Sequence, residues 1–382
     1  MTTTRTSRQA PAQAGSVAVF VALSMIVLAG FATLAVDYGF LEYKRSRLQN
    51  AADAAALAGA NVLVQYGSNQ GAVIDTAIRY GQANLDDADG RDVAIRNSDV
   101  TFPDAVTVQS RVGRTTERGN PVDMFLGRIL GWNTQDISAS GKAALFCSKS
   151  SKCLKPWSPP AQFTWDDTCD GNKKYNNNGQ LDAQSSCEMH SVEVQGYGNS
   201  DVGAQIVLKF GDPSGTVTPG HYQAVDYPAL EHGNPVSGGD AYRDNIAGCT
   251  GSNDSVVRTG DTLQVEPGDM VGPTKQGLAA LLAKDPDASW DGDTNSIVGS
   301  AYADALVSPR VALIPFYDPR YPQESGRNSL KVYQLGAVFI EGVAGSGDVT
   351  GRFVKSMAVD PVRQTGCDAS AAYALYGAGL VR

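Results

Sequence analysis

The residues richest in ligating chemistry lie in "DDTCDGNKKYNNNGQLD", positions 166–182. Asp166, Asp167, Asp170, Asn172, Asn176, Asn178 and Asp182 place oxygen donors on or near alternate positions around Gly179. Calcium takes six to eight such oxygens, and a Gly-permitted turn lets several point inward. The run "NNNGQLD" has the form of half a D-x-D-x-D-G loop, but Lys174 stands where the first Asp belongs and no Glu occupies the twelfth position. The competing reading is a solvated turn held by Cys169 and Cys187. Ca2+ is the one cofactor these residues point to, and it implies a calcium-dependent adhesin or ligand-binding module as the alternative function.

The six cysteines are Cys147, Cys153, Cys169, Cys187, Cys249 and Cys367. None forms a C-x-x-C pair, and the three histidines, His190, His221 and His232, belong to no metal or nucleophile motif. Zinc and redox chemistry therefore have little support, and an even count in an exported chain favours disulfides. Proximity alone pairs 147 with 153, 169 with 187 and 249 with 367. Both the G-x-S-x-G elbow and the H-E-x-x-H helix are missing, so the chain is not expected to be an enzyme. In "GDMVGPTKQG" Lys275 follows Thr274, the reverse of a phosphate-binding loop, and nucleotide is not an expected ligand. A net charge of −9 argues against nucleic acid, whose backbone is bound by Lys and Arg.

These residues need an element to place them, and the N-terminus supplies it. "SVAVFVALSMIVLAGFATLAV", Ser16–Val36, carries no charge and is long enough to cross a hydrocarbon core of roughly 30 Å. Arg5 and Arg8 before it favour an N-in, C-out orientation, although Lys44, Arg45 and Arg47 follow on the far side. The alternative is a cleaved signal peptide with Ala35 before the cut. Beyond Asp37 the helical pattern continues. Leu41, Leu48, Ala52, Ala55 and Gly59 mark one face, made of tiny side chains from Ala51 onward. Small residues let another backbone approach closely, whether that of the chain's own sheet or of a partner.

From Gly15 to Ala60 the sequence resembles the N-terminal module of TadG-like and TadE-like proteins of the Tad (Flp) tight-adherence pilus system. The resemblance rests on Gly15, the apolar run, Asp37 and Arg45, followed by Leu48, Gln49, Asn50, Ala51, Ala52, Asp53, Ala54, Ala55, Ala56, Leu57, Ala58, Gly59 and Ala60. It implies an assembly helix using Asp37, Leu48, Gln49, Ala52, Asp53, Ala55, Ala58 and Gly59. It further implies a single-pass anchor in a bacterial inner membrane, a periplasmic or extracellular C-terminal domain, and pilus, pseudopilin or envelope proteins as partners. Cleavage after Gly15 would put Phe20 where cleaved pilin-type subunits carry Glu, so an uncleaved anchor is expected.

The remaining pattern predicts an α+β protein. Residues 1–15 form a cytoplasmic basic tail and 16–36 a transmembrane helix. Residues 37–148 form a pilin-like long helix on a small sheet, with a second helix over 72–86, strands in "AVTVQSRVGR" and "DISASGKAALFC", and a helix starting near Asn120 and Pro121. Residues 149–189 read as a Cys-rich linker, from the Pro and Ser of "KPWSPP". Residues 190–382 read as a β-rich, disulfide-bonded extracytoplasmic domain with helices around 239–247 and 274–284, the second capped by Thr274. This half carries a scattered resemblance, at Pro267, Gly268, Gly272, Pro273, Thr274, Pro309, Arg310 and Gly336–Ile340, to domains that follow the TadE/TadG-like helix.

Overall fold

The structure, a computed structural model, describes residues 14–66, 69–85, 93–169, 179–211, 222–321, 328–344, 347–365, 367 and 375–381. The chain divides into two compact units, one of residues 1–56, 74–101 and 109–142, the other of 57–73, 102–108 and 143–382.

The first unit is organised by helix α1 (Ala14–Tyr66), which contains no proline and is rich in alanine, the best helix former. Helix α2 (Gln70–Ala83) follows, as the period of "AVIDTAIRYGQA" predicts. Strands β1 (Val100–Asp104), β2 (Thr107–Arg114) and β5 (Ile137–Cys147) are hydrogen-bonded neighbours in that order. In β5, Ile137, Ala139 and Gly141 turn inward while Ser138, Ser140 and Lys142 face out, the alternation of a half-buried strand. Leu48, Ala51 and Ala52 of α1 share a core with Leu85, Val93, Ile95, Val112, Val122, Ile137 and Ala139.

The helix expected from Asn120 does not form. Strands β3 (Val122–Asp123) and β4 (Thr134–Gln135) pair antiparallel, and a 3-10 turn, Gly127–Leu130, sits between them. Asn120 accepts the Thr115 N–H through its side chain at 3.1 Å and caps no helix. Gly131, at φ +84°, ends the turn in the left-handed region, which a glycine adopts without penalty.

The second unit is β-rich. Its main sheet contains β6 (Gln205–Lys209), β7 (Val225–Asp226), β8 (Thr262–Val265), β9 (Val311–Tyr317), β10 (Ser329–Val343) and β11 (Val349–Val354). The order is β7-β8-β10-β11-β6, with β9 paired antiparallel to β10. β9 from Ala312 onward and the central stretch Gln334–Ile340 of β10 are continuously buried, as a sheet covered on both faces requires. A short helix α3 (Ser186–Ser191) carries Cys187. Helices α4 (Gly239–Ala247) and α5 (Val271–Leu282) pack Tyr242, Ile246, Leu278 and Leu281 into a core with Ile314, Phe316, Val338 and Phe353. Thr274 is not the cap of α5. The helix begins three residues earlier, Pro273 is tolerated in its first turn, and Thr274 is buried beneath Tyr242. Two last strands, β12 (Ser356–Met357) and β13 (Leu375–Leu380), pair in parallel, and β13 runs antiparallel to the end of β5, Tyr376 facing Cys147.

All six cysteines lie in this unit and form three disulfides, 147–367, 153–249 and 169–187. Only 169–187 joins the neighbours that proximity selects. The other two bridge long separations because the sheet brings β13 to β5 and places α4 near residue 153. Much of segment 149–165, where a linker is expected, is buried. Leu154, Trp157, Ala161, Ser148, Ser150, Ser151 and Ser158 are buried. The Ser148 hydroxyl donates to the Ser150 carbonyl and that of Ser150 to the Asp360 carbonyl, so most of these hydroxyls are satisfied inside the fold, the buried Ser158 hydroxyl being an exception.

Candidate functional site

The sequence singles out α1, and the structure divides this helix sharply. From Val17 to Val36 the chain offers it almost no cover: Phe20, Met25, Ile26, Leu28 and Phe31 are each at least 65% exposed. Residues 17–65 are long and apolar enough to cross a membrane, by length and composition. Burial begins at Asp37, which is only 3% exposed.

Asp37 is held by the β3–β4 hairpin. Its carboxylate oxygens accept the N–H groups of Phe125 at 2.9 Å, Leu126 at 3.1 Å, and Gly127. These donors open the 3-10 turn, where backbone N–H groups have no partner within the turn. A carboxylate is the strongest acceptor the chain can place there. Gly127 eases the approach, since a Cβ there would lie a tight 3.0 Å from an Asp37 oxygen and 3.1 Å from the Trp132 carbonyl.

Further along α1, Leu48, Ala51, Ala52, Ala55 and Ala56 are all at most 1% exposed. Two glycines show how close their neighbours come. A Cβ on Gly81 of α2 would lie 2.8 Å from Ala55 Cβ and 3.1 Å from the Ala51 carbonyl oxygen. A Cβ on Gly141 of β5 would lie 2.5 Å from the Ala52 carbonyl carbon. Gln49 bridges helix and strand, donating from Nε2 to Asp53 Oδ1 at 2.9 Å and to the Ser140 carbonyl at 3.0 Å. The small face is therefore filled by the chain's own α2 and β5. Ala58 is half-buried, Gly59 is buried, and Gly15 lies in the first turn of α1.

The oxygen-rich loop is only partly described: Asp170, Asn172, Asn176 and Asn178 lie outside the described residues. Asp166 accepts from the Thr168 N–H and hydroxyl, Asp167 from the Gly179 N–H and Asp182 from the Gln184 N–H. His232 pairs with Asp261 at 2.8 Å and His190 with the Ser186 carbonyl, while His221 lies outside the described residues.

One buried cation had no sequence signal. Lys155, 6% exposed, borders a cavity of about 390 Å³ with Lys284, Asp304, Ser308 and the Cys153–Cys249 bridge. Burial, and secondarily the charge of Lys284, push its ammonium down to about 7. Its Nζ donates to the Asn245 and Gly248 carbonyls at 3.3 and 3.0 Å. These bonds cap chain ends at the close of α4 and give Lys155 a structural task.

Fold and site define a class: an α+β protein whose first helix is bare and apolar along one half and packed inside its own domain along the other. The sequence matches are more specific. Residues 15–62 match the family described as Putative Flp pilus-assembly TadE/G-like, and residues 39–143 match Putative Tad-like Flp pilus-assembly. The TadE/G-like resemblance of the N-terminal region is thereby borne out, and with the apolar helix it supports a membrane-anchored component of the Tad system. No curated protein and no solved structure matches the chain.

Proposed function

We propose that this protein is a structural assembly component of a Tad (Flp) pilus, anchored in the inner membrane by residues 16–36, with the remainder in the periplasm. It acts by packing and turns over no substrate. The observation that carries the reading is the division of α1 at Asp37, together with the family match across it. Bulky apolar side chains without intramolecular cover suit lipid, and the alanine face behind them fixes a folded domain directly on the anchor. Pilus or envelope partners then meet the outer surfaces of that domain. The small-residue helix is its spine, and Gln49, Ala52, Asp53, Ala55, Ala58 and Gly59 serve assembly by holding the domain in shape. An uncleaved Gly15 keeps the anchor attached.

The test is a deletion of this gene in a strain that makes Tad pili, complemented by the full chain or by a chain whose residues 16–36 are replaced with an unrelated membrane-spanning helix. Loss of piliation on deletion, with rescue by both, is expected. Normal pili after deletion would overturn the proposal.

A further inference from the structure

The hairpin gripped by Asp37 presents an apolar tip that stands exposed among the described residues. Phe125 is 75% exposed, Ile129 79% and Trp132 58%. Soluble surfaces carry single exposed apolar residues routinely, but three large ones within a short turn call for a partner. Their position identifies it. The N–H groups of Phe125, Leu126 and Gly127 bond to the carboxylate of Asp37. The tip therefore lies at the level of residue 37, the first residue after the apolar run. Tyr38 and Tyr43, 63% and 53% exposed, extend the same level along α1, and Lys44 lies over the Phe40 and Tyr43 rings at 5.6 and 6.0 Å. Trp and Tyr favour the headgroup boundary of a bilayer, and long basic side chains reach from it toward water. The charge at the tip is balanced, Arg128 pairing with Asp123 at 3.0 Å.

We propose that the tip of the β3–β4 hairpin, Phe125, Ile129 and Trp132, inserts into the headgroup and upper acyl region of the leaflet from which α1 emerges. The protein then has a second, non-spanning membrane contact beside its helix, and Asp37 is the link between the two. Two attachments restrain the domain from swivelling about a single helix, so its outer surfaces face partners in one orientation. The inference rests on the reading of residues 16–36 as membrane-spanning.

The experiment uses the full chain, one copy per lipid nanodisc, made with ordinary lipids or with lipids brominated near the top of the acyl chain. The protein has four tryptophans, and the emission of Trp132 is obtained as wild type minus Trp132→Phe. A second probe, Leu28→Trp in the Trp132→Phe background, reports on the anchor and uses lipids brominated deep in the chain. Brominated lipid is expected to lower Trp132 emission at least twofold, and Asp37→Ala to weaken that quenching. Quenching at Leu28→Trp with unchanged Trp132 emission would overturn the proposal while leaving the anchor intact. Absence of quenching at both positions would overturn the anchor reading and the proposal with it. A single copy per disc leaves no second chain to cover the tip, so quenching there identifies lipid.

Discussion

The two units of the chain solve the same problem, holding irregular backbone tightly, in opposite ways. The first has no cysteine and obtains proximity from side chains that are missing: Ala51, Ala52, Ala55, Gly81 and Gly141 let helix and strand touch backbone to backbone. The second contains every disulfide and keeps bulky groups throughout its interior, including Trp157, Tyr227 and Tyr242. Buried charge serves backbone in both, the second unit also holding Asp285, which accepts the Ala301 N–H. Asp37 in the first unit collects N–H groups, whereas Lys155 and Arg310 in the second collect carbonyls, Arg310 reaching those of Asp285, Ile340 and Glu341. In both, the charge terminates backbone that secondary structure leaves unpaired. A unit built on small side chains is intolerant of added volume, and one built on cross-links is intolerant of reduction.

Reduction gives the largest contrast. The chain-entropy account assigns about 3–5 kcal/mol to a disulfide, depending on loop length, and the separations here are 18, 96 and 220 residues. Three such losses rival the whole stability of a domain, about 5–15 kcal/mol. Dithiothreitol is expected to abolish protection of β9 and β10 in hydrogen exchange while amides of residues 48–56 stay protected. Equal loss in both regions would erase the contrast. Next comes Gly141→Val, which drives side-chain carbon into the backbone of Ala52 and Asp53. Overpacking typically costs about 1–3 kcal/mol, and backbone on the receiving side puts this site at the upper end. Its thermal transition should fall in the first unit alone. Ala55→Leu acts the same way, so a piliation defect in that variant reports misfolding as well as lost assembly.

A smaller effect concerns pH. The Lys155 ammonium is pushed down to about 7, so between there and its ordinary 10.5 the unfolded chain binds more protons than the folded one. Stability should therefore rise with pH across that window, by at most about 1.4 kcal/mol per pH unit, the full penalty being present below 7. Lys155→Met should flatten the rise. The Asn245 and Gly248 carbonyls would keep a donor in Asn253 Nδ2, so the variant is expected to fold. An unchanged slope would show that Lys155 stays charged. The smallest change is Asp37→Asn, which keeps one acceptor oxygen and turns a donor toward the hairpin. A drop of a few degrees in the first transition is expected, with membrane insertion intact.

Periodic elements were legible in the sequence and contacts between distant ones were not. The apolar run, α1, α2, β2, β5, β9 and β10 announce themselves through period or continuous hydrophobicity, because each buries a regular face. The β3–β4 hairpin misleads for a physical reason. Val122, Phe125, Leu126 and Ile129 recur at helical spacing, yet Phe125 and Ile129 are exposed, so the pattern records no internal core face. Asp37 ends the apolar run in the sequence, but no sequence signal ties it to residues 125–127. Two cysteine pairs escape a proximity argument because pairing follows sheet topology, and β13, "LYGAGL", is too rich in glycine to read as a strand. The burial of segment 149–165 is illegible in sequence because buried serines resemble solvated ones.

The pairing of β5 with β13 carries a consequence for biogenesis. Residues 143–147 leave the ribosome long before 375–380, and Cys147 waits across 220 positions for Cys367. Until the late strand arrives, that stretch of β5 has hydrogen-bonding groups and a thiol without their final partners. The nascent chain is then open to wrong pairings. The Cys147–Cys367 bridge can therefore close only once nearly the whole chain has been made.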